Sequence, residues 1–165
     1  MHLRFDGKLG FPGGIIDGNE TVIDGVTREI KEEMNIDVKL CPEDFVSLET
    51  VEYHRQKHDK VWNKMNLYFF AKEMDESTFL QMEEKCRKAQ HFGIEVLGTI
   101  RAPLHQWTNA TNAEQKPEGF PLFLTHTFAG NAKGQLLLAL NKHKIMTEEN
   151  LISAYKMYHQ KKDRR

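Results

Sequence analysis

Apolar residues along this chain recur with two periods. From about Thr21 they return every three or four positions, at Val22, Ile23, Val26, Ile30 and Met34; at about 100° per residue these share one arc of a helix and face a core. Residues 45–53, 65–71 and 94–100 carry the alternating or continuous apolar runs of strands. Ahead of the helix, 3–11 places an Asp6-Gly7 turn between two short apolar segments, which predicts a small hairpin. Helical spacing returns at 76–90 through Phe79, Leu80, Met82, Cys86 and Ala89. Residues 122–128 and 135–142 read as helices packed on the sheet, and 148–160 as a last one. The charged stretch 54–64 and the Asn-, Thr-, Gly- and Pro-rich stretch 103–121 read as surface connections. The order gives one α/β domain over 1–165, with no internal repeat or linker, in which 142–165 forms a C-terminal helix and a basic tail.

Composition narrows the class. With 165 residues, 39% hydrophobic and 28% charged, the chain buries a sizeable core as one domain. A formal net charge of −1 argues against a protein that coats duplex nucleic acid and leaves a small nucleotide or an RNA end open. Cys41 and Cys86 have no metal-site spacing, so reduced thiols and no disulfide framework are expected. No apolar run approaches a membrane span and the start lacks signal-peptide character, which predicts an intracellular protein.

The candidate chemistry sits on the first helix. Phe11-Pro12-Gly13-Gly14 reads as a turn with special backbone angles just before it. On the helical wheel Glu29 and Glu33 lie about 40° apart at the edge of the apolar arc, and Glu32 one step further toward solvent. Two carboxylates four residues apart present oxygens close enough to share a hard divalent cation, and Mg²⁺ or Mn²⁺ suits that donor set. Such a cation serves attack of water on phosphorus. Taken alone, Glu29, Lys31, Glu32 and Glu33 would be an ordinary solvated helix face; the loop glycines, Glu20 upstream and the contact of the acids with the apolar edge favour the metal reading.

Gly14, Glu20, Arg28-Glu29-Ile30-Lys31-Glu32-Glu33 and Ile36, within 14–36, together resemble the Nudix box, with Asn35 standing where that family prefers glycine. Asparagine also tolerates the left-handed conformation at a helix C-terminus. The resemblance implies an αβα sandwich with a mixed β-sheet. It also implies Glu29 and Glu33 as main metal ligands, the Gly13 carbonyl as a further ligand, and Glu32 as a ligand or the base that deprotonates water. Gly14 and an Arg28–Glu20 ion pair would then shape the loop.

Residues 3–14, 92–98 and 119–121 through 135–137 are further similar to a Nudix subgroup that hydrolyses (d)IDP and removes 5′ caps from small nucleolar RNA and mRNA. That similarity implies Mn²⁺ or Mg²⁺, a nucleoside diphosphate or capped RNA end as substrate, a homodimer, and residence in nucleus and cytoplasm. By position Arg4, Phe11, His58, Asn131 and Gln135 would contact substrate. Four of them have a plainer reading: Arg4 and His58 as solvated side chains, Phe11 as packing beside Pro12, Gln135 as a polar start to an apolar helix face. Only thirteen residues precede Gly14, where the family's fold has further strands, so the expectation is a sheet lacking its first strands. The competing function is a catalytically weak Nudix-fold protein that binds RNA or protein.

Overall fold

The structure is a computed structural model that describes residues 1–53, 63–104 and 119–162, with side chains described through residue 157. The hairpin forms as the pattern predicts. Strand β1 (His2–Arg4) pairs antiparallel with β2 (Leu9–Gly10) around the Asp6-Gly7 turn, where Gly7 takes φ +75° and Asp6 Oδ1 accepts the Lys8 N–H at 3.1 Å. On its other side β1 pairs antiparallel with β5 (Val96–Thr99), His2 opposite Thr99. A second ladder joins β3 (Phe45–Tyr53) and β4 (Asn63–Phe70), antiparallel from Phe45↔Phe70 to Tyr53↔Asn63.

Among the described residues there are five α-helices. Helix α1 (Val22–Met34) starts at Thr21, whose Oγ1 accepts the Asp24 N–H at 3.2 Å. It stops at Asn35, which adopts the left-handed conformation (φ 54°, ψ 38°) and donates its N–H to Lys31 O at 2.9 Å. The side chain that stands in for glycine therefore does the conformational work of one. Helix α2 (Glu76–Cys86) is capped by Asp75, which takes the Thr78 N–H at 2.8 Å. Helices α3 (Phe120–Phe123), α4 (Ala132–Lys142) and α5 (Glu148–Lys162) follow.

Several predicted boundaries are corrected. Helix α2 ends at Cys86 rather than at 90, because the Lys88 and Ala89 N–H groups tighten onto Lys85 O and Cys86 O. The strand expected from 94 begins at Val96, since Gly93 takes φ +81° and the Ile94 and Glu95 N–H groups turn back onto His91 O. The helix expected over 122–128 is the short α3, starting after Gly119 (φ +70°) with Pro121 in its first turn. Phe128 instead forms a bridge to Leu9. Pro121 is buried rather than part of a surface connection, and α4 begins three residues before 135. In place of the expected mixed sheet, the described residues form two antiparallel sheets, of order β2-β1-β5 and β3-β4. The parallel component shrinks to isolated bridges, Leu9↔Phe128 and Phe92↔Val96. Most of the predicted connection 54–64, His58, and most of 103–121 lie outside the described residues.

Two apolar clusters hold this arrangement. Leu9, Phe120, Phe123, Leu124, Leu136, Leu140, Met146, Leu151 and Ala154 form one, where α3, α4 and α5 close on β2. Met34, Ile36 and Met82 form the other, joined by Ile30, Val38, Met74 and Phe79, between α1 and α2. Across the second, the end of α1 is tied down: Glu32 O accepts the His91 N–H at 3.1 Å and Glu33 O faces the Cys86 thiol at 3.5 Å. Cys41 and Cys86 are both free. No helix among the described residues is long and apolar enough to cross a membrane.

Candidate metal and phosphate site

The loop between β2 and α1 is held from both ends. At its start Leu9 donates to Thr127 O at 2.9 Å and accepts from Ala129 N at 2.8 Å, and the Phe11 ring packs on Phe69 with centroids 4.8 Å apart. At its end the backbone seats on the acids of α1. Gly13, at φ +142°, donates its N–H to Glu33 Oε2 at 2.9 Å. A Cβ on Gly14 would lie 2.3 Å from Glu29 Oε1, so only a residue without a side chain admits that carboxylate so close to the loop.

Arg28 knits the acids together. Its guanidinium grips Glu20 in a fork, Nη2 to Oε1 at 2.8 Å and Nε to Oε2 at 3.2 Å, and Nη2 also reaches Ile15 O at 3.0 Å. Its Nη1 donates to Glu29 Oε1 at 3.1 Å and to Glu32 Oε2 at 3.2 Å. Glu20 thus faces arginine, and that hydrogen bond holds its carboxyl below the usual range. The three box acids differ in exposure: the side chain of Glu33 is 5% exposed, Glu29 13% and Glu32 25%. Burial pushes the Glu33 carboxyl up to about 7, aided by Glu29 and Glu95 nearby and opposed by the Gly13 N–H.

One neighbour of Glu33 is not visible in the sequence. His2 is 2% exposed, with Nδ1 3.6 Å from Glu33 Oε2. Burial pulls its imidazole down to about 4, with the N-terminal ammonium and Arg4 adding to the effect. A three-residue strand whose pattern is His-Leu-Arg gives no reason to bury the histidine; only the ladders on both sides of β1 do so.

Of the residues proposed for substrate contact, Asn131 and Gln135 share the start of α4, Arg4 and Phe11 lie before the box loop, and His58 lies outside the described residues. The Arg4 side chain lies across Gly10, with Nε 3.6 Å from Asp6 Oδ1 and its guanidinium carbon 5.8 Å from the Phe5 ring centroid. Asn131 stands at the start of α4 and donates its side-chain amide to Glu49 Oε2 on β3. Gln135 is half-buried one turn further on, its N–H bonded to Asn131 O at 3.0 Å. Phe11 leads through Pro12 into Gly13, whose N–H bonds Glu33. Glu49, the partner of Asn131, is a further residue that the pattern of β3 did not single out.

The donor set tests well against a hard cation. Glu29, Glu32 and Glu33 offer only oxygen, and the first two already meet a single cationic nitrogen of Arg28. The set is not preformed: among the described residues no three His, Cys, Asp or Glu side chains converge at metal-binding distance. Arg28 engages one oxygen each of Glu29 and Glu32, and the Gly13 N–H engages Oε2 of Glu33 and leaves its Oε1 to a cation.

Known proteins similar to this chain share one family and carry two kinds of name. The family profile described as Nudt16-like, U8 snoRNA-decapping enzyme-like, matches residues 1–146. The chain is 32% identical over 163 residues to the U8 snoRNA-decapping enzyme of Xenopus laevis, covering 96% of this chain and 70% of that protein. It is 33% identical over 147 residues to the Mus musculus enzyme of the same name, covering 88% and 69%. It is also 30% identical over 155 residues to the Tudor-interacting repair regulator protein of Homo sapiens, covering 93% and 66%.

Proposed function

The chain belongs to the Nudt16-like family of the Nudix class, and from that premise we propose that it is a divalent-metal-dependent pyrophosphohydrolase acting on nucleoside diphosphate linkages, with (d)IDP and capped RNA 5′ ends as its substrates. The observation that carries the reading is the seating of the Gly13-Gly14 backbone on the carboxylates of Glu33 and Glu29, with Arg28 joining Glu20, Glu29 and Glu32. An acidic helix that served only solubility would not need a glycine pressed onto its carboxylates.

In this reading Glu29 and Glu33, with the Gly13 carbonyl, hold Mg²⁺ or Mn²⁺, and Glu32 completes the set or takes the proton of the attacking water. When bound, the cation neutralises the diphosphate and lowers the pKa of a coordinated water. Arg28 keeps the loop and helix in register through Glu20, so the acids are presented as one unit. Arg4 offers a cation to phosphate or base, and Phe11 braces the loop against Phe69. Asn131, held by Glu49, and Gln135 offer amides to the base or ribose, and His58 joins them by position in the sequence. Homodimerisation and residence in nucleus and cytoplasm belong to the same proposal by family resemblance.

A second reading is a binding protein of low activity for RNA or protein. Its support is the similarity to the Tudor-interacting repair regulator protein and the engagement of Glu29 and Glu32 by Arg28. The experiment that separates the two is incubation with IDP and Mn²⁺, or with chelator, and detection of IMP and phosphate by mass. Metal-dependent IMP supports the hydrolase and directs the next assay to capped RNA. Absence of IMP from folded protein at every metal concentration gives first place to the binding protein.

A further inference from the structure

The burial of His2 has no structural explanation of the ordinary kind. It lies in β1 with ladder partners on both sides, Gly10 and Thr99, and Ile100 donates its N–H to Met1 O at 2.7 Å just before it. The imidazole is 2% exposed, yet among the described residues its Nε2 has no hydrogen-bond partner. Burying a polar nitrogen unpaired is unfavourable, and an aliphatic residue would fill the same place without that penalty. What the imidazole does have is a neighbour: its Nδ1 faces Glu33 Oε2 at 3.6 Å, on an oxygen that also accepts the Gly13 N–H at 2.9 Å.

We propose that His2 is a positioning residue for Glu33: together with the Gly13 N–H it fixes Oε2, and so sets the plane in which the carboxylate presents itself to a divalent cation. The inference rests on the reading of Glu33 as a metal ligand. Ligands to metals are commonly oriented by groups that do not touch the ion, and removing such a group weakens binding by about 10–100-fold. His2 is suited to the task because β1 is pinned by ladders on both edges, so the imidazole cannot follow the carboxylate if it swings.

The test is direct Mn²⁺ binding to the metal-free full chain, followed by the electron paramagnetic resonance signal of free Mn²⁺, beside a thermal melt without metal. Four proteins are compared: the native chain, His2→Leu, His2→Gln and Glu33→Gln. His2→Leu is expected to weaken Mn²⁺ binding about 10–100-fold while melting at or above the native temperature. His2→Gln, which retains a side-chain N–H donor, is expected to bind within about threefold of native, a rescue that a packing role does not produce. Equal Mn²⁺ affinity in the native chain and His2→Gln together with His2→Leu overturns the inference and leaves the hydrolase reading standing. An equal loss in His2→Leu and His2→Gln also overturns it, because the donor would then be irrelevant. Native affinity in Glu33→Gln, or no binding by folded native chain, overturns the metal reading itself and this inference with it.

Discussion

Where α3, α4 and α5 close on β2, every residue of the buried cluster is apolar, and Phe120, Leu124 and Ala154 are completely hidden. The ground beneath the Gly13-Gly14 loop is hidden just as well, but by Glu33 and His2, both of which burial holds in unfavourable ionisation ranges. The same degree of burial therefore has opposite effects. The apolar cluster stabilises the fold, at about 25 cal/mol for each Å² withdrawn from water. The acid and imidazole act against it and are retained where a cation and a diphosphate would be handled.

The contrast breaks most visibly at Glu33. Glu33→Gln is expected to abolish metal-dependent turnover of IDP by removing a ligand of the cation while leaving the melting temperature unchanged or slightly raised, since a neutral amide replaces a carboxyl that burial disfavours. Steady-state kinetics and a melt on one preparation check both halves; substantial activity in this variant would remove the carboxylate from the mechanism. Phe120→Ala is the converse case. It should cost about 3–5 kcal/mol in urea unfolding, with no change in the activity of each folded molecule.

The third expectation concerns pH in the presence of chelator. Glu33 has its folded value near 7 against 4.5 when unfolded, so between those values the native state holds a proton that the unfolded chain has released. Its contribution to stability is fully present below 4.5 and is lost as pH rises through 7. His2 has its folded value near 4 against 6.5 when unfolded, so its contribution is present above 6.5 and lost as pH falls through 4. Between about 4.5 and 6.5 the two slopes oppose. Urea midpoints for the native chain should be nearly flat there, those of His2→Gln should fall with rising pH, and those of Glu33→Gln should rise. The smallest effect belongs to the exposed start of α1: Thr21→Ala removes the cap and should cost about 1 kcal/mol, with Mn²⁺ affinity intact.

Much of this was legible in the chain because the governing signals are local. Thr21 and Asn35 bound α1 by a cap and a left-handed stop, and the β3 pattern marks its strand at both ends. The acids of the box, their loop glycines and the arginine that joins them also lie within 21 positions, a span that periodicity can relate. What was not legible depends on distant partners. Phe128 belongs to an apolar run that reads as helix, but a bridge to Leu9 takes it out of α3. His2 looks like a polar position near a terminus until β2 and β5 enclose it. Asn131 finds Glu49, and Cys86 finds the carbonyl of Glu33, across separations that no window of sequence spans.

The bridge between Leu9 and Phe128 has a further consequence, for the order of events in folding. The two strands of the hairpin before the box loop are held by distant partners: Met1, at the head of β1, bonds Ile100 O across 99 residues, and Leu9 of β2 bonds residues 127 and 129. Closing loops of that length is entropically slow, so the hairpin and α1 can form early while the cradle they bracket stays open. Only when residues 127–129 join Leu9 is the start of the loop that carries Gly13 and Gly14 anchored, so the acidic site takes its final shape after its own helix.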